Sequence, residues 1–329
     1  MKIGKVPENV LKRSILKKTG CKRSEVLVGA KVGEDCACLQ LKEDEVFVIS
    51  TDPITVAKED IGLYAMTVST NDLASAGAEP VAVMVTALLT PDTTEEDIKK
   101  IMTDLSENAK ALSIQIIGGH TEITEAVNRP ILSLTAIGKA KKGEMIKTSG
   151  AKPGDDVLVT KWIGLEGTSI VAKEKEKELL KKFPSKMIYD AINFDKYLSV
   201  IPEAATAVKS GVSAMHDVTE GGIFGGLWEM AESSGVGLLI DLRKIPVKQE
   251  TIEICNYFDI NPYELISSGS MLMASKDGNK LKLELERIGI EATIIGKCTD
   301  NNDRVLINGE NKRFLEPPKT DELYKVICE

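Results

Sequence analysis

The stretch IGLYAMTVSTNDLASAGAEPVAVMVTALL, residues 61–89, decides the fold class. Its first part, Ile61 to Ala76, reads as a small-residue helix stopped by Gly77 and then Pro80. Its second part, Val81 to Leu89, is apolar on both faces, as a fully buried strand is. Upstream, Val46 to Ser50 (VFVIS) is a β-rich run. Downstream, residues 93–113 set Ile98, Ile101, Met102, Leu105, Ala109 and Leu112 on one helical face, with Thr93 and Glu96 as the expected capping box. Ile114–Ile117 and Ile131–Ile137 read as further strands. The same style returns later. Strands are expected near Val157–Thr160, Ser213–Val218, Leu238–Asp241, Met271–Ala274 and Thr293–Ile295, and helices near 166–182, 222–234 and 278–288. This is an α/β (α+β) protein with mixed sheets. The Gly- and Lys-rich stretch Gly138–Pro153, ending in a Pro-Gly turn signal, marks a boundary near residue 150 and gives domains 1–150 and 151–329.

Composition narrows the function. The chain has 329 residues, with 42 basic and 50 acidic side chains, a formal charge of −8. A nucleic-acid backbone needs a basic footprint, so no nucleic-acid partner is expected. Aromatic residues are only 4%, which leaves few stacking platforms for single strands. Val81–Leu89 is far shorter than the roughly 20 residues of a membrane span, and the basic first residues lack an apolar run, so a cytoplasmic protein is expected. Two histidines and no C-x-x-C make a structural zinc an unsuitable reading of the six cysteines, for which free thiols are the default.

Five places break the local rules. They are Gly33-Glu34-Asp35-Cys36-Ala37, Ser50-Thr51-Asp52-Pro53, Asn71-Asp72, Gly118-Gly119-His120-Thr121-Glu122, and His216-Asp217-Val218-Thr219-Glu220-Gly221-Gly222. Asn71 and Asp72 interrupt an otherwise apolar helix, where each costs about 0.6 kcal/mol relative to Ala. Burying the charge alone would cost far more. Carboxylates converging from Asp35, Asp52, Asp72, Glu122 and Asp217 would repel one another unless a hard cation sat among them. Diglycine segments let backbone N–H groups approach phosphate oxygens. Together these read as a Mg²⁺–nucleotide site. Asp52-Pro53 taken alone is equally a turn former, and 118–122 equally a plain loop following the strand Ile114–Ile117. There is no Walker A loop and no dinucleotide fingerprint.

In this order, Gly33-Glu34-Asp35-Cys36-Ala37, Ser50-Thr51-Asp52, Asn71-Asp72-Leu73-Ala74 with Gly77-Ala78-Glu79-Pro80, and Gly118-Gly119-His120-Thr121 resemble the aminoimidazole-ribonucleotide synthetase (PurM-like) superfamily. That superfamily includes thiamine-monophosphate kinases, selenophosphate synthetases and HypE-type hydrogenase maturation proteins. Gly29–Leu39, Gly164–Thr168 and His216–Asp241 are most similar to the HypE type. The resemblance implies an N-terminal ATP-binding domain, a C-terminal AIR-synthase-type domain, and a homodimer. It implies Mg²⁺ ligands at Asp35, Asp52 and Asp72, with Glu122 as a further oxygen donor. ATP contacts are implied at Thr51, Asn71, Gly118, Gly119, Thr121 and Asp217, and catalytic roles at His216 and Cys328. Two positions depart from the pattern. His120 stands where relatives carry Asp, and the chain reads Val326-Ile327-Cys328-Glu329 where HypE proteins read Pro-Arg-Ile-Cys.

Three functions stay open on this reading. One is ATP-driven dehydration of a cysteine S-carboxamide on Cys328 to a thiocyanate, with a carbamoyltransferase and an iron-cyanide scaffold as partners. The second is an ATP-dependent small-molecule phosphotransferase or synthetase. The third is a non-catalytic ATP-binding regulatory dimer. The polar stretch Lys319–Lys325 suits a detachable tail, and Cys36 reads as buried.

Overall fold

The computed structural model describes residues 3–32, 34, 36–55, 60–317 and 319–327. The candidate residues Asp35 and Cys328 lie outside the described residues. The chain divides into two compact units, residues 1–74 with 78–145, and residues 75–77 with 146–329.

The first unit is built on β1 (Gly4–Lys5), α1 (Glu8–Val10), β2 (Val26–Val28), β3 (Cys38–Leu39), β4 (Glu45–Ile54), α2 (Ile61–Ser75), β5 (Glu79–Leu89), α3 (Glu95–Ala111), β6 (Gln115–Ile123) and β7 (Ile131–Lys141). Its main sheet runs β1-β6-β5-β7-β4, and β2 pairs with β3 alone. Only β5 and β6 run parallel; the other pairs are antiparallel, so the sheet is mixed. Val83, Val85, Ala87, Leu132, Leu134 and Ala136 share one face and pack with Met66, Leu73, Met102 and Leu105 of α2 and α3. The opposite face carries Val81, Ile117, Met84 and Ile137 against Val26 and Leu39. Polar residues enter α2 by satisfying themselves: the buried Thr70 hydroxyl donates to the Met66 carbonyl at 2.8 Å.

Three local expectations shift. The capping box of α3 is Thr94 with Asp97 rather than Thr93 with Glu96, because Thr94 is the last extended residue before the helix. The segment 118–122 is strand rather than loop, and β6 continues through it with a bulge opposite Val83 and Met84. Gly119 (φ 143°) lies so close to β5 that a Cβ there would stand 1.9 Å from the Val85 carbonyl oxygen. Cys36 and Cys38 are exposed, not buried.

The second unit contains β8 (Asp156–Thr160), α4 (Leu165–Glu174), α5 (Glu176–Leu179), α6 (Ser185–Ile192), α7 (Ile201–Ser210), β9 (Ala214–Val218), α8 (Gly222–Ser234), β10 (Gly237–Asp241), α9 (Gln249–Tyr257), β11 (Ser270–Ser275), α10 (Gly278–Arg287), β12 (Ala292–Thr299), β13 (Arg304–Asn308), β14 (Asn311–Phe314) and α11 (Tyr324–Ile327). Its sheet is ordered β14-β13-β10-β12-β8-β11-β9, with β10 and β13 parallel and the rest antiparallel. The expected helix over 166–182 is two helices, α4 and α5, parted at Lys175. Lys161 and Glu203 form a buried ion pair at 2.7 Å beyond the end of β8.

Candidate functional site

The first unit brings Asp52 and Asp72 together on one hydroxyl. Alternation along β4 turns Ser50 and Asp52 toward the helix-packed face and Phe47, Ile49 and Thr51 away from it. Asp72 on α2 meets Ser50 from above. The Ser50 Oγ contacts Asp72 Oδ2 in a short hydrogen bond and lies 3.4 Å from Asp52 Oδ2. A hydroxyl has one proton to give, so the two carboxylates compete for it. This set of hard oxygens fits a divalent cation such as Mg²⁺. Asn71 is fully buried beside Asp72 in α2.

The other described first-unit candidates do not join this cluster. Thr51 faces the opposite side of the sheet and meets Thr135 at 3.2 Å between hydroxyls. The rows Asp52–Leu134–Val85–Gly119 and Thr51–Thr135–Met84–Gly118 set β6 three strand spacings from β4, about 14 Å. Within β6, His120 and Glu122 share the face of Thr51, while Thr121 lies on the helix-packed face. Glu122 therefore does not complete a cation site with Asp52 and Asp72 within the chain. It is held by His120, at 2.9 Å between Oε2 and Nε2. Among the described residues no three His, Cys, Asp or Glu side chains converge closely enough to hold a metal ion. Gly118 and Gly119 are explained first by the bulge and the close approach to Val85.

In the second unit, His216 and Asp217 are adjacent on β9 and point to opposite faces. His216 turns to α8, where Nε2 meets Glu229 Oε2 at 2.8 Å and Nδ1 lies 3.4 Å from the Thr148 hydroxyl. Asp217 is buried and lies near enough to Glu166 to raise its pKa. Glu166 stands in the first turn of α4, 4% exposed, and its Oε2 closes no hydrogen bond. Burial pushes its carboxyl up to about 7; the Ser268 hydroxyl and amide oppose this, and the Asp321 and Asp217 charges add to it. Glu166 is thus a carboxylic acid that holds or releases a proton near neutrality, the property that suits general acid–base work. Sequence reasoning did not pick out Glu166. A Glu within the Gly164-Leu165-Glu166-Gly167 entry to an apolar helix is the same anomaly as Asp72, and that signal was available.

The segment before Cys328 is docked, against the expectation of a detached tail. Asp321, Glu322, Leu323 and Val326 are all buried. The Asp321 carboxylate accepts from the Gly221 amide at 2.7 Å, at the start of α8, and from the Leu323 amide at 2.8 Å. Glu322 Oε2 accepts from the Asn261 amide at 3.2 Å. Backbone donors, which charge composition does not reveal, satisfy the acidic residues that made this stretch look detachable. Burial leads in raising the Asp321 pKa to about 6.

Comparison with known proteins follows the same division. Residues 33–140 match the model of the AIR synthase related protein N-terminal domain, and residues 152–308 match that of its C-terminal domain. The chain belongs to the AIR synthase related family. Over 332 aligned residues it is 29% identical to a Methanocaldococcus jannaschii protein designated a hydrogenase expression/formation protein, covering 98% of this chain and 97% of the relative. It is 26% identical over 277 residues to the carbamoyl dehydratase HypE of Cupriavidus necator, covering 78% and 76%. Among solved structures, the hydrogenase maturation protein HypE in complex with ATP superposes with a TM-score of 0.79 at 18% identity, over 96% of this chain and 95% of that one. HypE from a HypE–HypF complex superposes with a TM-score of 0.70 at 23% identity, over 83% and 90%. These structures establish the two-domain, mixed-sheet α/β fold for this family member.

Proposed function

We propose that the protein is an ATP-dependent carbamoyl dehydratase of hydrogenase maturation, converting a cysteine S-carboxamide into a thiocyanate. The observation that carries this reading is the pair Asp52 and Asp72 on the Ser50 hydroxyl, in a chain matched over most of its length by a carbamoyl dehydratase. Asp52, Asp72 and the Ser50 hydroxyl would hold Mg²⁺, with Asp35 as a further ligand; the ion's chemistry is to neutralise the phosphate charge of bound ATP. The carboxamide oxygen attacks the γ-phosphorus and ADP leaves. Loss of that oxygen as phosphate and of both N–H protons yields the C≡N triple bond. In sum, R–S–CO–NH₂ and ATP give R–S–C≡N, ADP and inorganic phosphate. We assign Cys328 as the sulfur that carries the group.

Two of the AIR-synthase-type alternatives are weighed by the same residues. A diffusible acceptor would leave Cys328 dispensable, and a purely regulatory dimer would bind ATP without turnover. We infer a homodimer, supported by the exposed apolar side chains Leu27, Val28, Phe47 and Ile49 of the first unit, 37–61% exposed. By analogy with the relative solved with HypF, we infer further maturation proteins as partners. Calorimetry with Mg-ATP tests the site: Asp72→Asn is expected to weaken binding by about tenfold or more, since it removes one ligand charge. Unchanged affinity would exclude the Ser50–Asp52–Asp72 cluster as the nucleotide site.

A further inference from the structure

The second unit holds a cavity of about 410 Å³ between the β13–β14 hairpin, the turn after β10 and the segment leading to Tyr263. That is within the range of small-molecule sites. Its lining includes Arg243, Lys312 and Arg313, the carboxamides of Asn261, Asn308 and Asn311, and no carboxylate. In a chain of net charge −8 this is a local inversion of sign.

Strand register builds one wall. Leu306 pairs with Arg313 and Asn308 with Asn311, so these four side chains share one face of the hairpin. All four residues of β14 are exposed, so packing alone does not account for the strand. The cations are also positioned. Arg243 is clamped by Asp241, Nε to Oδ1 at 3.1 Å and Nη2 to Oδ2 at 3.0 Å, which leaves Nη1 outside that pair. The Arg313 guanidinium lies 5.4 Å over the Phe224 ring, and Tyr263 stacks on the same ring with centroids 5.1 Å apart. Guanidinium groups bind phosphate oxygens through paired N–H donors, and carboxamides serve sugar or base polar atoms.

We propose that this cavity binds a phosphorylated small metabolite of mononucleotide size, with Arg243 and Arg313 holding the phosphate. It is separate from the Asp52–Asp72 cluster and does not rest on the dehydratase reading. The test uses full-length Asp72→Asn protein without Mg²⁺, so that binding at the first cluster is weakened, titrated with AMP at about 0.15 M salt. Adenosine and inorganic phosphate are the comparison probes. AMP is expected to bind with a Kd below about 1 mM. Arg243→Ala with Arg313→Ala should weaken it at least about tenfold and leave the melting temperature nearly unchanged, because both side chains are exposed. Adenosine and phosphate should each bind more weakly than AMP. No AMP binding, AMP binding that survives the double substitution, adenosine bound as tightly as AMP, or phosphate bound as tightly as AMP each overturns the proposal.

Discussion

Replacing Lys161 by Met tests how the second unit handles its most deeply buried charge pair. Lys161 is 6% exposed and Glu203 is fully buried. The ammonium spends all three donors inside the protein, on Glu203 Oε1 at 2.7 Å, the Tyr197 carbonyl at 2.8 Å and the Ser199 carbonyl at 2.7 Å. Thr160 donates to the same carboxylate oxygen at 3.2 Å, while Glu203 Oε2 closes no hydrogen bond. Lys161→Met leaves a buried carboxylate with a single hydroxyl donor, a change that costs about 3–5 kcal/mol. At about 2–4 °C per kcal/mol for a unit of this size, melting falls by roughly 10 °C. Glu203→Leu strands the ammonium and should cost a similar amount. The double variant removes both charges, so no uncompensated charge remains and its loss should fall well short of the sum of the two single losses. The double-mutant cycle, by chemical denaturation at neutral pH, should therefore show strong coupling. Additive losses, or a Lys161→Met protein that melts with the wild type, would refute this account of the pair.

Further predictions concern the glycine bulge, the buried acid and the docked segment. Gly119→Ala should yield insoluble or unfolded protein in an expression trial, because its Cβ would meet the Val85 carbonyl oxygen at 1.9 Å, whereas Gly143→Ala, with open space around it and only the strain of its φ of +82°, about 1–2 kcal/mol, should stay soluble. Glu166 has its folded-state pKa raised to about 7 from an ordinary 4.5, so the native state holds its proton longer than the unfolded chain does. Stability from this group is fully present below pH about 4.5 and declines as pH rises toward about 7. Glu166→Gln should flatten the melting temperature against pH across that window; an unaltered profile would reject the neutral acid. Glu25 works in the opposite sense and at lower pH, since Arg23 and Lys139 hold it ionised and its contribution is lost as acid protonates it. Asp321→Ala removes the acceptor shared by Gly221 and Leu323, and limited proteolysis should then cut between 319 and 327 faster than in the wild type.

The fold was legible where a pattern is local. Residues 61–89 announced a helix and a doubly buried strand, and both stand at α2 and β5. Helices α6, α7 and α9 left no comparable mark, because their short apolar stripes are completed only by packing. At the candidate site, Asp52 and Asp72 were readable as charges in apolar company, and the structure joins them at Ser50. Glu122 was grouped with them although it lies three strand spacings from β4, since face and strand order decide proximity and neither follows from motif order. Asp321 was hidden because its partners are backbone amides of residues distant in sequence.

The central claim is dehydration at Cys328, and peptide-level mass spectrometry reads it directly. Protein S-carbamoylated with cyanate carries the carboxamide on its accessible thiols, including the exposed Cys36 and Cys38 as internal controls. On addition of Mg-ATP, the peptide containing Cys328 should lose the mass of one water while the Cys36 and Cys38 peptides keep theirs. Asp72→Asn protein treated in the same way should show no loss. ATP hydrolysis with the Cys328 carboxamide left intact would contradict the dehydratase account.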